Sequence, residues 1–136
     1  MIVPQFHVMA WGFPYLCLLS GSTMVMPSSN LNPEAIINML QEEKITKANG
    51  VPTIWLGVYH ALKKNPPKEK LALQEYLVGG SALPKSLIEG FEKDFGIKGT
   101  QAWGMTETSP LGTVSRLQPK HEELPENEKM ALRATQ

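Results

Sequence analysis

The stretch Leu73-Gln74-Glu75-Tyr76-Leu77-Val78-Gly79-Gly80-Ser81-Ala82-Leu83-Pro84 decides the fold. Residues 73–78 read as a strand, closed by Gly79-Gly80. Pro84 opens a helix whose apolar positions are Leu87, Ile88, Phe91 and Phe95, and Gly96 suits its C-terminal cap. Residues 97–102 suggest the next strand, which ends at Trp103-Gly104. Strand, helix and strand in succession is the unit that joins parallel strands.

The same alternation extends upstream. Asn32-Pro33-Glu34 has a helix start in order: Asn as cap, Pro at the first helical position, an acid in the first turn. Residues 45–49 suggest a strand. Val51-Pro52-Thr53 starts a helix on which Ile54, Val58 and Leu62 share a face, with Trp55 and Tyr59 nearby. Lys63-Lys64 and the prolines at 66 and 67 end it. Residues 8–19 are apolar on all sides and predict a buried helix, kinked near Pro14. Residues 23–26 predict a short buried strand, and the charged tail predicts a helix around 126–133. The expected fold class is α/β, a parallel sheet with flanking helices. Ligands of such sheets bind beyond the C-terminal ends of the strands. That rule points to Gly79-Gly80-Ser81 and to Trp103-Gly104-Met105-Thr106-Glu107-Thr108.

Composition narrows the class. The 136 residues suffice for one ordinary domain. Thirteen Lys+Arg balance thirteen Asp+Glu, which argues against a general nucleic-acid binder. With 42% hydrophobic and 19% charged residues, a packed core is expected. The single cysteine, Cys17, excludes an internal disulfide framework and a multi-Cys metal site. The longest apolar run is too short for a transmembrane helix. A soluble, cytoplasmic protein is expected, with its oligomeric state unspecified.

Around residue 104 the residue types suit a nucleotide. Gly104 allows close backbone approach, Thr106 offers a hydroxyl, Glu107 offers a hard carboxylate suited to Mg²⁺, and Trp103 offers a flat apolar face. An ordinary polar loop with a buried Trp has the same composition. Gly79-Gly80-Ser81-Ala82 would leave a bare backbone shelf on which a planar ring could lie opposite Trp103; a tight turn before a helix is the alternative. His7 suits a pocket residue or proton carrier, or else a hydrogen-bonded structural histidine. No Walker-type loop, G-x-G-x-x-G or nucleophile elbow occurs.

Trp103-Gly104-Met105-Thr106-Glu107-Thr108 resembles the aromatic-Gly-x-Thr-Glu motif of the adenylate-forming acyl-CoA synthetases. Leu77-Val78-Gly79-Gly80-Ser81-Ala82-Leu83-Pro84 resembles their adenine-shelf segment, and Val3-Pro4-Gln5-Phe6-His7-Val8-Met9-Ala10-Trp11-Gly12 their upstream Phe-His motif. Gly50-Val51-Pro52-Thr53-Ile54-Trp55 also matches. The residues around these motifs look most like the medium- and long-chain fatty-acid branch.

This resemblance implies a large N-terminal domain of an adenylate-forming enzyme, of which residues 1–136 would be a single partial AMP-binding domain. It implies fatty acid or another carboxylic acid, ATP and coenzyme A as substrates, AMP as a product, and Mg²⁺. Gly80, Ser81 and Ala82 would line the adenine, with Trp103, Gly104 and Met105 completing the nucleotide site. Thr106 would contact phosphate and Glu107 would hold the metal, the two carrying the catalysis. His7 and Trp11 would border the acyl pocket. The family's phosphate loop with its Lys, its ribose-binding Asp, and its hinge and small C-terminal domain have no counterpart among these residues. The chain alone is therefore expected to be inactive. A truncated, non-catalytic nucleotide-binding or interaction module is the alternative.

Overall fold

The computed structural model describes residues 1–10 and 12–134. Its elements run α1 (Phe13–Ser20), α2 (Pro33–Glu42), β1 (Lys47–Gly50), α3 (Pro52–Lys64), β2 (Glu75–Val78), α4 (Lys85–Phe95), β3 (Lys98–Gly104), a 3₁₀ turn (Thr106–Thr108), β4 (Leu111–Val114), a second 3₁₀ turn (Pro119–His121) and α5 (Glu126–Ala134). The sheet order is β1-β2-β3-β4. β1 pairs parallel with β2, and β2 parallel with β3. The expected parallel α/β sheet with flanking helices is present, with one addition: β4 pairs antiparallel on the edge of β3.

Local chemistry explains the helix limits. The Asn32 side chain accepts from the Ala35 amide at 2.7 Å, and Pro33 occupies the first turn of α2, where a missing N–H costs nothing. α3 likewise starts on Pro52 and ends on Lys63 and Lys64, whose charge suits the C-terminal end of the helix dipole. α4 stops at Gly96, whose φ of 67° is left-handed. The Gly96 and Ile97 amides donate back to the carbonyls of Glu92 and Phe91.

The core lies between the sheet and α3 and α4. Trp55 and Val58 of α3, Tyr76 and Val78 of β2, and Ile88 and Phe91 of α4 are fully buried. The Tyr76 ring lies 4.8 Å from Trp55 and 4.6 Å from Phe91, centroid to centroid, and Phe91 meets Trp55 edge-on. Such tilted and edge-on pairs are the favoured aromatic arrangements. The Tyr76 hydroxyl donates to the Leu87 carbonyl at 3.3 Å. Burial, reinforced by nearby Glu92, pushes its ionisation far above the usual tyrosine range, so it stays a neutral donor. α5 docks through Arg133, which is buried, donates to the Gly99 carbonyl at 2.7 Å and pairs with Glu92.

The amino-terminal third departs from expectation. The predicted helix over 8–19 forms only as α1, and Pro14 sits in its first turn rather than at a kink. It is not buried: Tyr15, Leu16, Leu18 and Leu19 are exposed. Apolarity on all sides says that a helix suits burial, not that neighbours cover it. Only Phe13, Pro14 and Cys17 of α1 are half-buried. The strand expected at 23–26 does not form. That segment accepts from the Met1 amino group at the Val25 carbonyl and from the Gln5 side chain at the Met26 sulfur, and no strand of the described residues pairs with it.

Side chains alternate along β2, so Glu75 lies on the face opposite Tyr76. There its carboxylate accepts from the Thr100 hydroxyl at 2.7 Å and pairs with Lys47 at 3.4 Å and Arg116 at 3.6 Å. Burial alone would raise the Glu75 carboxyl. The Thr100 bond and the two cations outweigh it and hold the group below its ordinary value. A carboxyl lowered by folding stabilises the fold above its ordinary value and loses that contribution as pH falls below it. Glu75→Gln should therefore cost about 1 kcal/mol at neutral pH. In urea denaturation the gap between variant and parent should close as pH drops below 4.5, the ordinary value. A gap independent of pH would contradict the assignment.

Candidate functional site

β2 ends at Val78, opposite Gln101, while β3 continues to Gly104. The chain leaves β2 through Gly79-Gly80 and leaves β3 through Trp103-Gly104. Between these exits lies an open cleft of about 510 Å³, lined by Gly80, Ser81, Ala82, Gln101, Ala102, Trp103, Gly104 and Thr113. It sits at the C-terminal end of the parallel strands, where the topology places ligands.

One wall is the 79–84 loop. Gly80 has φ of +85°, a region that favours glycine, and this turn carries Ser81 and Ala82 into solvent at the cleft rim. Beneath the loop, the Gln101 side-chain oxygen accepts from the buried Leu83 amide at 2.8 Å. That bond ties the loop to β3. Met9, from the turn-rich segment before α1, lies against Gly79, and its carbonyl accepts from Asn49 at 3.3 Å.

The opposite wall is Trp103. Trp103 is 47% exposed and lines the cleft, where an indole can stack on a planar ring. Its register partner on β4 is Thr113. Gly104 lines the cleft too, but its missing side chain makes room for the Pro110 carbonyl. The close approach expected of Gly104 is thus made by the chain itself.

Beyond Gly104 the backbone turns. Thr108 Oγ1 accepts from the Met105 amide at 2.9 Å and lies within hydrogen-bond distance of the Met105 and Pro110 carbonyls, one of which takes its proton. This holds the 3₁₀ turn that presents Thr106 and Glu107, both exposed. Among the described residues no group of three or more His, Cys, Asp or Glu gathers.

Of the residues singled out in the sequence, Gly80, Ser81, Ala82, Trp103 and Gly104 therefore share one cleft. Met105, Thr106 and Glu107 follow at its edge without lining it. His7 stands apart: it is exposed, and its Nδ1 accepts from the Met9 amide at 3.1 Å, the local hydrogen-bonded alternative. Trp11 lies outside the described residues. Sequence reasoning missed Gln101, Thr108 and Thr113. Gln101 had a signal, since it is two residues before Trp103 on one strand and so faces the same side. Thr113 had little, because it lies on a short, mostly exposed strand.

The lining residues are small, aromatic or neutral polar. The cleft thus suits a flat, uncharged ring with hydrogen-bonding edges. Its lining offers no cation to meet several phosphates.

Comparisons with known proteins converge on one family. The AMP-binding enzyme family model matches residues 1–134. The chain is 44% identical over 136 residues to the 3-methylmercaptopropionyl-CoA ligase of Ruegeria lacuscaerulensis, covering 99% of this chain and 25% of that protein. It is 38% identical over 135 residues to the medium-chain-fatty-acid–CoA ligase of Ectopseudomonas oleovorans, covering 99% of this chain and 24% of that one. Its fold is similar to that of the Bacillus subtilis O-succinylbenzoate coenzyme A synthetase solved in complex with ATP and magnesium ion. There the TM-score is 0.71 at 20% identity, over 90% of this chain and 24% of that one. The chain spans about a quarter of the length of the curated relatives it matches.

The Gln101 tie is open to test in the chain itself. Gln101→Leu strands the Leu83 amide in a buried place and should cost about 1–3 kcal/mol. Gln101→Glu keeps an oxygen acceptor and should cost less. Hydrogen exchange at the Leu83 amide should accelerate in the Leu variant only. Equal exchange in the parent and the Leu variant would contradict this role for Gln101.

Proposed function

Because the chain belongs to the AMP-binding enzyme family, we propose that it is the base-binding part of an ATP-dependent acyl-CoA ligase acting on fatty acids or related carboxylic acids. The observation that carries this reading is the shared cleft of the Gly80–Ala82 shelf and the Trp103 indole. A purine would lie between them, with Ser81 and Thr113 offering polar partners to its edge.

In the proposed reaction the substrate carboxylate attacks the α-phosphorus of ATP. The bond to pyrophosphate breaks and an acyl-adenylate forms. The coenzyme A thiol then attacks the acyl carbon, and AMP leaves. This chain's residues would bind and orient. The shelf and indole fix the base, which in turn fixes the α-phosphate at the end of the nucleotide. Thr106 would donate its hydroxyl to a phosphate oxygen, with Thr108 holding that turn in place.

Mg²⁺ fits the donor set in a limited sense: it is commonly held by one or two carboxylates together with substrate phosphates, and Glu107 is one such carboxylate. When bound, the ion would neutralise charge on the phosphates. The relative solved with ATP and magnesium ion supports the same pairing of ligands. His7 and Trp11 are assigned to the acyl pocket on the motif resemblance alone.

The uncharged cleft lining supports the second half of the proposal, that residues 1–136 bind nucleotide but do not adenylate unaided. Residues 1–136 are then one part of a larger AMP-binding domain. Among the described residues no helix is long and apolar enough to cross a membrane. A cytoplasmic setting is supported by the lone cysteine and by the ATP and coenzyme A that the reaction would consume.

Calorimetric titration of the chain with AMP tests the reading. Trp103→Ala should weaken binding about 5- to 100-fold, the range expected for loss of one base–aromatic stack. Acid-dependent exchange between ATP and pyrophosphate should be absent from the chain alone. Unaltered AMP affinity in Trp103→Ala, or exchange by the chain, would contradict the proposal. Glu107→Gln should erase most of the gain that Mg²⁺ gives to ATP binding; an undiminished gain removes Glu107 from the metal.

A further inference from the structure

Trp103 stands over the neighbouring strand. Thr113 is its register partner, and a register shift between Trp103 and Gly104 sets Leu111 opposite Gly104. Gly112 thus lies between the two partners, beside the indole. A Cβ placed on Gly112 would come within 2.5 Å of Cζ3 and 2.6 Å of Cε3 of that ring. No side chain fits at such distances without displacing the ring. The backbone itself makes no such demand, since Gly112 is not among the glycines with positive φ. What excludes a side chain at 112 is the indole.

Trp103 is nearly half exposed, and Gly112 of β4 lies against its ring. We propose that Gly112 is a positioning residue that sets the width of the base cleft. A bare backbone at 112 lets the indole settle against β4. That keeps the gap to the Gly80–Ala82 shelf wide enough for a purine. A side chain at 112 lifts the ring off β4 towards the shelf, so the base loses its stacking surface or its room. Gly112 acts only through Trp103. The inference rests on reading the cleft as a base site.

A double-mutant cycle on the 136-residue chain tests it, with AMP affinity from calorimetry and folding checked by thermal denaturation. Gly112→Val should weaken AMP at least about fivefold in the parent, which is about 1 kcal/mol. In the Trp103→Ala background the same substitution should change affinity less than about twofold, because the effect runs through the indole. Gly112→Ala, with one added carbon, serves if the valine variant does not fold. Equal effects in both backgrounds, or none in the parent, would overturn the proposal.

A second measurement needs no ligand. The emission of Trp103, taken as the difference from Trp103→Phe in the same background, should be more readily quenched by acrylamide when Gly112 is substituted. Unchanged quenching overturns the seating of the ring. If the parent does not bind AMP, or Trp103→Ala binds it equally well, the base-site reading fails, while the quenching result still decides whether Gly112 seats the indole.

Discussion

The parallel pairing of β2 with β3 is the constraint on which the site depends. Its register sets Val78, the last residue of β2, opposite Gln101, so β3 runs on past the end of β2 to Gly104. The glycine turn after one and the indole near the end of the other then face each other across the cleft. The aromatic packing of Tyr76 with Trp55 and Phe91 holds that register in place. Tyr76 lies on the middle strand of the parallel part and is gripped by both helices. Slipping β2 by one residue would turn Tyr76 to the other face and bring the Glu75 carboxylate into the core. Glu75 instead meets Thr100, Lys47 and Arg116 on the far face, so the two sides of β2 specify the same alignment.

What was legible follows from the same physics. Helix starts at Asn32-Pro33 and Val51-Pro52 and the stop at Gly96 were readable because caps and φ preferences act within a few residues. The strand–helix–strand unit from 73 to 104 was readable because each element carries its own period of apolar residues. The resemblance to adenylate-forming synthetases placed shelf and aromatic motif together before any geometry was known, and five of those residues do share a cleft. The misses have a different origin. α1 is as apolar as a core helix, and the sequence says nothing of whether a neighbour covers it. β4 is four residues with little burial, so it has no inward-facing pattern to read. Gln101 and Gly112 matter through what they touch, and only the fold brings those contacts together.

The chemistry of the cleft divides the proposed task. A neutral, flat-walled gap with polar edges suits a nucleobase, and a carboxylate on the following turn suits a metal already carrying phosphates. Neither supplies the positive charge that phosphoryl transfer uses most. On the proposed reading, this chain would contribute base recognition and one carboxylate for the metal, and cationic side chains for the phosphates would come from other parts of the enzyme.

The measurement that bears most directly on this account is the contact map of bound AMP by NMR. The adenine protons should show nuclear Overhauser effects to the Trp103 indole on one face and to Gly80, Ser81 and Ala82 on the other. Contacts from adenine to a different surface, or to the indole with none to the shelf, would contradict it.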